Sequence, residues 1–301
     1  MENKKVTFVG SGIIGAGLAV NAVMHGWDVW VWYRRNFEKL SDNVKTILKV
    51  FSDNGVCTEE EAEGYYHAIH FTMNLEEAVS GAVLVQESIA ERIEDKREMY
   101  QRIQSICGED TLIASSTSML FPSALKEGAL YPNKIVVGHP YNPAHLLPIM
   151  EICGGEDGCE ETIQAVKAVY EGWGKVPVIC RKEVKGFVVN ELNQWATRFA
   201  REQVCKGVCS AEDMDKAIMY GPGLRMALLG QILTTSLGVE GGFRNMCAKY
   251  NLPPNPEYDT LAEGVDEIFA NRSEEEGKDP ASAAAYRDKM IIELLKLKGI
   301  M

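Results

Sequence analysis

Short apolar runs alternate with segments of helical spacing through the first half of the chain. Val6–Gly10 (VTFVG) and Asp28–Trp32 (DVWVW) are short and β-rich enough to predict strands, and Ile13–His25 between them has a helical pattern. In Phe37–Ser52 the apolar residues Leu40, Val44, Ile47, Leu48 and Phe51 fall on one face of a helix. Thr58–His67 predicts another helix, with Thr58 as N-cap and Glu61 closing a capping box. Further strands are expected at Ala82–Gln86, Thr111–Ala114, Ile135–Gly138, Ile149–Ile152 and Val176–Ile179, with helices at Glu94–Ser105 and Glu160–Gly172. This alternation implies an α/β fold, a Rossmann-type and mostly parallel sheet covered on both faces.

The pattern changes near Lys185. Beyond it the chain predicts helices at Val189–Lys206, Ala211–Met219, Arg225–Leu237 and Ala283–Leu297, and no strand. Asn251–Tyr258 (NLPPNPEY) carries three prolines and reads as a loop. The expected organisation is a dinucleotide-binding domain over residues 1–185 and an all-helical domain over residues 186–301.

Composition narrows the function classes. The 301 residues are 46 % hydrophobic, which suits a globular protein. Lys and Arg number 31 against 43 Asp and Glu, a net charge of −12, which argues against nucleic acid as a partner while leaving room for a locally basic pocket. No apolar run approaches the ~20 residues that span a bilayer. The N-terminus lacks the signature of a signal peptide, so a cytoplasmic protein with no membrane partner is expected. The eight cysteines include no CxxC pair, and the five histidines form no ligand cluster with them, so neither a metal site nor a disulfide framework is expected. Cys205 and Cys209 are spaced to share a helix face.

Gly10-Ser11-Gly12-Ile13-Ile14-Gly15 is a GxGxxG that follows a strand and opens a helix. In that setting Gly10 permits the tight turn, Gly12 lets a pyrophosphate approach the backbone, and Gly15 allows close helix–strand packing. The N–H groups of Ile13, Ile14 and Gly15 then sit at a helix N-terminus, where an anion is favoured. A site for NAD wants a carboxylate after the second strand to accept from the adenosine 2′-OH. This chain has Tyr33-Arg34-Arg35 there. Two guanidiniums suit a 2′-phosphate, so NADP is the expected cofactor and NAD the alternative.

His139 and Glu151 carry the candidate chemistry. His139 follows the Ile135–Gly138 run, at the edge of a parallel sheet where ligands bind, and Glu151 lies in the next run. Oxidising a secondary alcohol needs a base for the hydroxyl proton while hydride leaves the carbon, and imidazole suits that task. A carboxylate on its far nitrogen fixes the tautomer. The sequence chemistry alone equally allows a structural histidine beside an ordinary strand glutamate.

In these residues the chain resembles the 3-hydroxyacyl-CoA dehydrogenase superfamily. The motifs that carry the resemblance are GSGIIG, Glu87-x-x-x-Glu91, Ser115-Ser116-Thr117-Ser118, the His139 and Glu151 pair, and Lys185-Gly186-Phe187-Val188-Val189-Asn190. The resemblance implies that His139 is the base and Glu151 its partner. Ser118 and Asn190 would hold the substrate oxygen, and Glu91, Lys96 and Asn142 would lie near the nicotinamide half of the cofactor. It also implies a homodimer through the helical domain.

Two stretches, HPYNPAHLLPIMEI from His139 and GPGLRMALLG from Gly221, are similar to the branch acting on small free acids, which includes L-carnitine dehydrogenase, L-gulonate dehydrogenase and lambda-crystallin. The expected reaction is oxidation of a small L-3-hydroxy acid, or its reverse. A short-chain 3-hydroxyacyl-CoA dehydrogenase is the alternative, and a non-catalytic cofactor-binding protein of lambda-crystallin type a further one. Tyr141, Trp195, Phe199, Tyr220 and Phe243 could supply aromatic faces for a trimethylammonium group, although helix aromatics more often serve the core. Arg225, in the Gly221–Arg225 segment read as a loop before a helix, is the expected partner of a free substrate carboxylate.

Overall fold

The computed structural model describes residues 4–301. The first part of the chain runs β1 (Lys5–Val9), α1 (Ile13–Met24), β2 (Asp28–Trp32), α2 (Phe37–Asp53), α3 (Glu59–Ala68), β3 (Ile69–Thr72), α4 (Leu75–Val79) and β4 (Leu84–Glu87). It continues through α5 (Ile93–Cys107), β5 (Leu112–Ser115), α6 (Pro122–Lys126), β6 (Ile135–Pro140), β7 (Ile149–Cys153), α7 (Glu160–Glu171) and β8 (Val176–Cys180). Helices complete it: α8 (Phe187–Cys205), α9 (Ala211–Tyr220), α10 (Pro222–Leu237), α11 (Met246–Tyr250), α12 (Glu257–Asn271) and α13 (Pro280–Leu297).

The strands form one sheet in the order β3-β2-β1-β4-β5-β6-β7-β8. Every pair is parallel except β6 with β7. The 3-2-1-4-5-6 order puts a topological switch between β1 and β4, and ligands bind outside the carboxyl ends of strands at such a point. The turns after β1, β4, β5 and β6 all leave the sheet at that edge.

The strands are apolar because helices bury both faces. All five residues of β1 are buried. One face packs Phe8 against Trp173, ring centroids 5.3 Å apart, with Leu18, Val29 and Val166 in the same cluster. The other gathers Val9, Val85, Met99, Ile103 and Ile113. Thr58 forms the expected capping box, its hydroxyl accepting from the Glu61 N–H at 3.1 Å while Glu61 accepts from the Thr58 N–H at 2.7 Å.

The chain divides into two compact units, one ending at Trp195 and the other Ala196–Met301. The break falls within α8, whose first turns are bonded to β7. The second unit is helical with its own core of Leu229, Leu233, Phe243, Met246 and Val265.

β3 was not expected, because IHFT is only four residues and half exposed. α12 was missed, because its apolar face follows directly on the proline loop; that loop ends at Pro256, and Tyr258 is already helical. Gly221–Arg225 is not a loop ahead of a helix: Pro222 is the first residue of α10, a position where its missing N–H is harmless, so Arg225 lies in the first turn. α10 then kinks at Gly230, which has φ 71°. Cys205 ends α8 and Cys209 lies beyond it, so the two do not share a helix face.

Candidate active site

The turn after β1 is built by its glycines. Gly10 has φ 134°, and a Cβ there would lie 2.6 Å from the Ser88 carbonyl oxygen, so only glycine fits beside the β4 turn. A Cβ on Gly15 would meet the Gly10 carbonyl oxygen at 3.0 Å. Gly12 differs: its φ is an ordinary −79°, and beyond its own chain neighbours no atom of the described residues lies within 4 Å of where its Cβ would be. The space kept open there is outside the fold, over the first turn of α1, whose N–H groups have no side-chain cap. Ile13 is exposed at this turn, whereas Ile14 packs on the core.

This turn forms one wall of a cavity of about 370 Å³. Gly10, Ser11 and Gly12 line it from β1, Trp32, Arg34 and Arg35 from β2, and Ser88–Ala90 from β4. Tyr33 turns away onto the Phe37 ring, centroids 5.4 Å apart. An open glycine, an uncapped helix N-terminus and two guanidiniums around one cavity fit the phosphates of a dinucleotide.

Beyond β4 lies a buried ionic cluster. Glu87 is fully buried; Lys96 donates to its Oε1 at 2.7 Å, and Tyr100 and Ser115 donate to its Oε2 at 2.5 and 2.8 Å. Burial and the Glu87 carboxylate push the Tyr100 hydroxyl well above the usual tyrosine range. Lys96, itself 1 % exposed, also lies 3.5 Å from Glu91. Glu91 in turn accepts from the Ser118 and Met119 N–H groups at 3.2 and 3.3 Å and from the Thr117 hydroxyl. The ammonium of Lys96 is thus spent on two carboxylates, and Glu91 fixes the turn that presents Ser118.

His139 and Glu151 are direct partners across the antiparallel β6–β7 pair. That register puts both side chains on one face. His139 Nδ1 lies 2.8 Å from Glu151 Oε2, and both side chains are almost fully buried. The other carboxylate oxygen, Oε1, accepts from the backbone N–H groups of Val188 and Val189 at 2.8 and 2.9 Å, in the first turn of α8. A carboxylate so placed is favoured by the helix N-terminus and has no freedom to turn. With its Nδ1–H given to Glu151, neutral His139 carries its lone pair on Nε2.

Phe187 completes this arrangement. It is 1 % exposed, has φ 53°, and its ring lies over His139 with centroids 5.5 Å apart. Left-handed backbone at a buried aromatic residue is strained, and Gly186 before it has φ 78°. The two together aim the start of α8 at Glu151. Burial and the neighbouring Glu151 carboxylate push the Cys180 thiol, 3.9 Å away, up to about 11, so it stays protonated and inert.

Sequence reasoning missed the two backbone donors on Glu151 and the Phe187 lid. The glycine in Lys185-Gly186-Phe187 was their one signal. It also missed a polar chain behind His139. Tyr170 donates to Gln86 Oε1 at 2.6 Å, and Gln86 Nε2 donates to the Gly138 carbonyl at 3.0 Å and to Ser116 Oγ at 2.8 Å. The segment between β6 and β7 is pinned by Lys175, whose ammonium donates to the Ala144 and Leu147 carbonyls at 2.5 and 3.3 Å; burial lowers it to about 8. Asn142 is exposed on this segment, and Asn190 is half-buried in α8. Arg225 belongs to the second unit. All eight cysteines are free thiols.

Comparison with known proteins gives the same reading. Residues 5–184 match the family described as 3-hydroxyacyl-CoA dehydrogenase, NAD binding domain, and residues 186–279 match its C-terminal domain. The chain is 33 % identical to L-carnitine dehydrogenase of Pseudomonas putida, over 98 % of this chain and 94 % of that protein. It is 34 % identical to L-carnitine dehydrogenase of Pseudomonas aeruginosa with the same coverage. Among solved structures, the 3-hydroxyacyl-CoA dehydrogenase of Archaeoglobus fulgidus superposes with a TM-score of 0.71 at 21 % identity, over 99 % of this chain and 100 % of that one. A sheet whose switch point carries GxGxxG and whose β6 ends on a carboxylate-bound histidine therefore has a family: the chain belongs to the 3-hydroxyacyl-CoA dehydrogenases, NAD(P)-dependent enzymes acting on a CH–OH group.

Proposed function

We propose that the substrate is a small free L-3-hydroxy acid of the L-carnitine class, oxidised to the 3-oxo acid or formed by the reverse reaction, with His139 and Glu151 as the catalytic dyad. The observation that carries the dyad is the 2.8 Å contact between His139 Nδ1 and a Glu151 carboxylate whose other oxygen is held by α8. The Gly10–Gly15 turn would hold the pyrophosphate of the cofactor, whose nicotinamide would supply the hydride acceptor. His139 Nε2 takes the hydroxyl proton, and Glu151 stabilises the imidazolium that results. Ser118 and Asn190 hold the substrate oxygen, and Arg225 pairs with its carboxylate. The identity to L-carnitine dehydrogenases over 98 % of the chain supports the substrate class.

NADP is the preferred cofactor on this reading, since Arg34 and Arg35 stand where a carboxylate would select NAD. Losing one charge-assisted phosphate contact costs about 1.5–3 kcal/mol, so Arg34→Ala should weaken NADP about 10-fold or more and NAD far less. Titration of intrinsic fluorescence with each cofactor checks this, and a wild-type preference for NAD overturns it. For the carboxylate, Arg225→Met should lower kcat/KM on the free acid by about tenfold or more while leaving its CoA thioester level, because the thioester has no charge to lose. Equal losses on both substrates refute the assignment. We also propose a cytoplasmic homodimer formed through the helical unit. Among the described residues no helix is long and apolar enough to cross a membrane.

A further inference from the structure

The cavity beside the Gly10–Gly12 turn has a third guanidinium, from α5. Asp95, Glu98, Met99 and Arg102 line it from this helix, at the spacing that puts them on one face. Arg34, Arg35 and Arg102 have no carboxylate within 4 Å among the described residues, although the chain carries 43 acidic side chains. The cavity's own carboxylates do not cancel them. Asp95 has Arg92 at 3.6 Å as its partner, and Glu98, one turn before Arg102, has no ion-pair partner among the described residues. Three like charges on one small cavity repel each other, and a dianion between them would relieve that repulsion.

We propose that Arg102 is the third arm of a subsite for the adenosine 2′-phosphate and a determinant of cofactor choice. This rests on the NADP reading above and extends it to a residue 67 positions beyond Arg35. β1 and β4 are neighbours, so the helix after β4 faces the turn after β2 across the end of β1. Two guanidiniums from a loop and one from a rigid helix would hold the phosphate from two sides. Glu98 then acts against it, and its removal should help.

Calorimetric binding of 2′,5′-ADP and 5′-ADP to the full chain tests this without turnover. The wild type should bind 2′,5′-ADP more tightly. Arg102→Ala should weaken 2′,5′-ADP about five- to tenfold and 5′-ADP by less than about twofold, as befits an exposed but convergent charge. Glu98→Gln should tighten 2′,5′-ADP selectively. If the wild type prefers 2′,5′-ADP and Arg102→Ala keeps that preference in full, the role of Arg102 is overturned while the NADP reading stands. If the wild type shows no preference, both fall. An equal loss on both nucleotides makes Arg102 a general support of the cavity and also overturns the proposal.

Discussion

At the scale of single residues, the site depends on donors and acceptors that have no spare partner. In Glu151→Gln, the amide oxygen must face the Val188 and Val189 N–H groups, because an amide N–H there would meet two donors. The amide nitrogen is then left facing His139 Nδ1, which must become an acceptor, and the proton moves to Nε2. That is the wrong tautomer for taking a proton from substrate. We expect kcat to fall by roughly 10²–10⁴, with cofactor affinity unchanged in a binding titration. Near-normal turnover would mean that Glu151 does not set the tautomer. Gly138 is constrained as tightly. A Cβ there would sit 1.8 Å from the Tyr170 hydroxyl oxygen. Gly138→Ala must displace Tyr170 and strand Gln86, so destabilisation of about 2–5 kcal/mol is expected from overpacking plus a lost buried hydrogen bond. Thermal unfolding reads it out, and an unchanged Tm contradicts the packing described.

At the scale of elements, the antiparallel β6–β7 pair brings His139 onto Glu151, and the segment that reverses the chain is held by a buried ammonium. Burial lowers Lys175 from 10.5 to about 8. Below about pH 8 the native state keeps a buried charge at a cost. Between about pH 8 and 10.5 the unfolded chain still binds that proton and the native state does not, so this group's contribution to stability rises with pH. Lys175→Met removes the effect. Relative to that variant, the wild type should gain roughly 2 kcal/mol between about pH 7 and pH 10 in denaturant unfolding. A pH-independent difference contradicts the burial of this charge. Much at this scale was legible in the sequence. Runs such as VTFVG and IVVG are apolar because both sheet faces are covered, and Thr58 and Glu61 announce their cap directly. The reversal of β7 was not, because a strand's direction leaves no mark on its side chains. Nor was β3, too short and exposed to stand out. Lys175 and Arg102 are met as ordinary charges in sequence, and only long-range packing gives them carbonyls to bind or a cavity to line.

At the scale of the whole molecule, a strongly acidic chain keeps a basic cavity at the dinucleotide turn and presents large apolar side chains on its helical unit. Val208, Tyr250 and Leu297 are 67 %, 56 % and 84 % exposed. For the proposed homodimer, light scattering should give twice the chain mass, and a monomer at micromolar concentration contradicts it. The chemistry proposed for the molecule is that an imidazole oriented by Glu151 takes the proton from a small 3-hydroxy acid as hydride leaves. Its most direct test is kcat of wild type and His139→Ala with L-carnitine at saturating cofactor, followed by absorbance of the reduced nicotinamide. With His139 as the base, the wild type turns over and His139→Ala loses roughly 10²–10⁴ with cofactor binding intact. Turnover by His139→Ala within about threefold of wild type would contradict it.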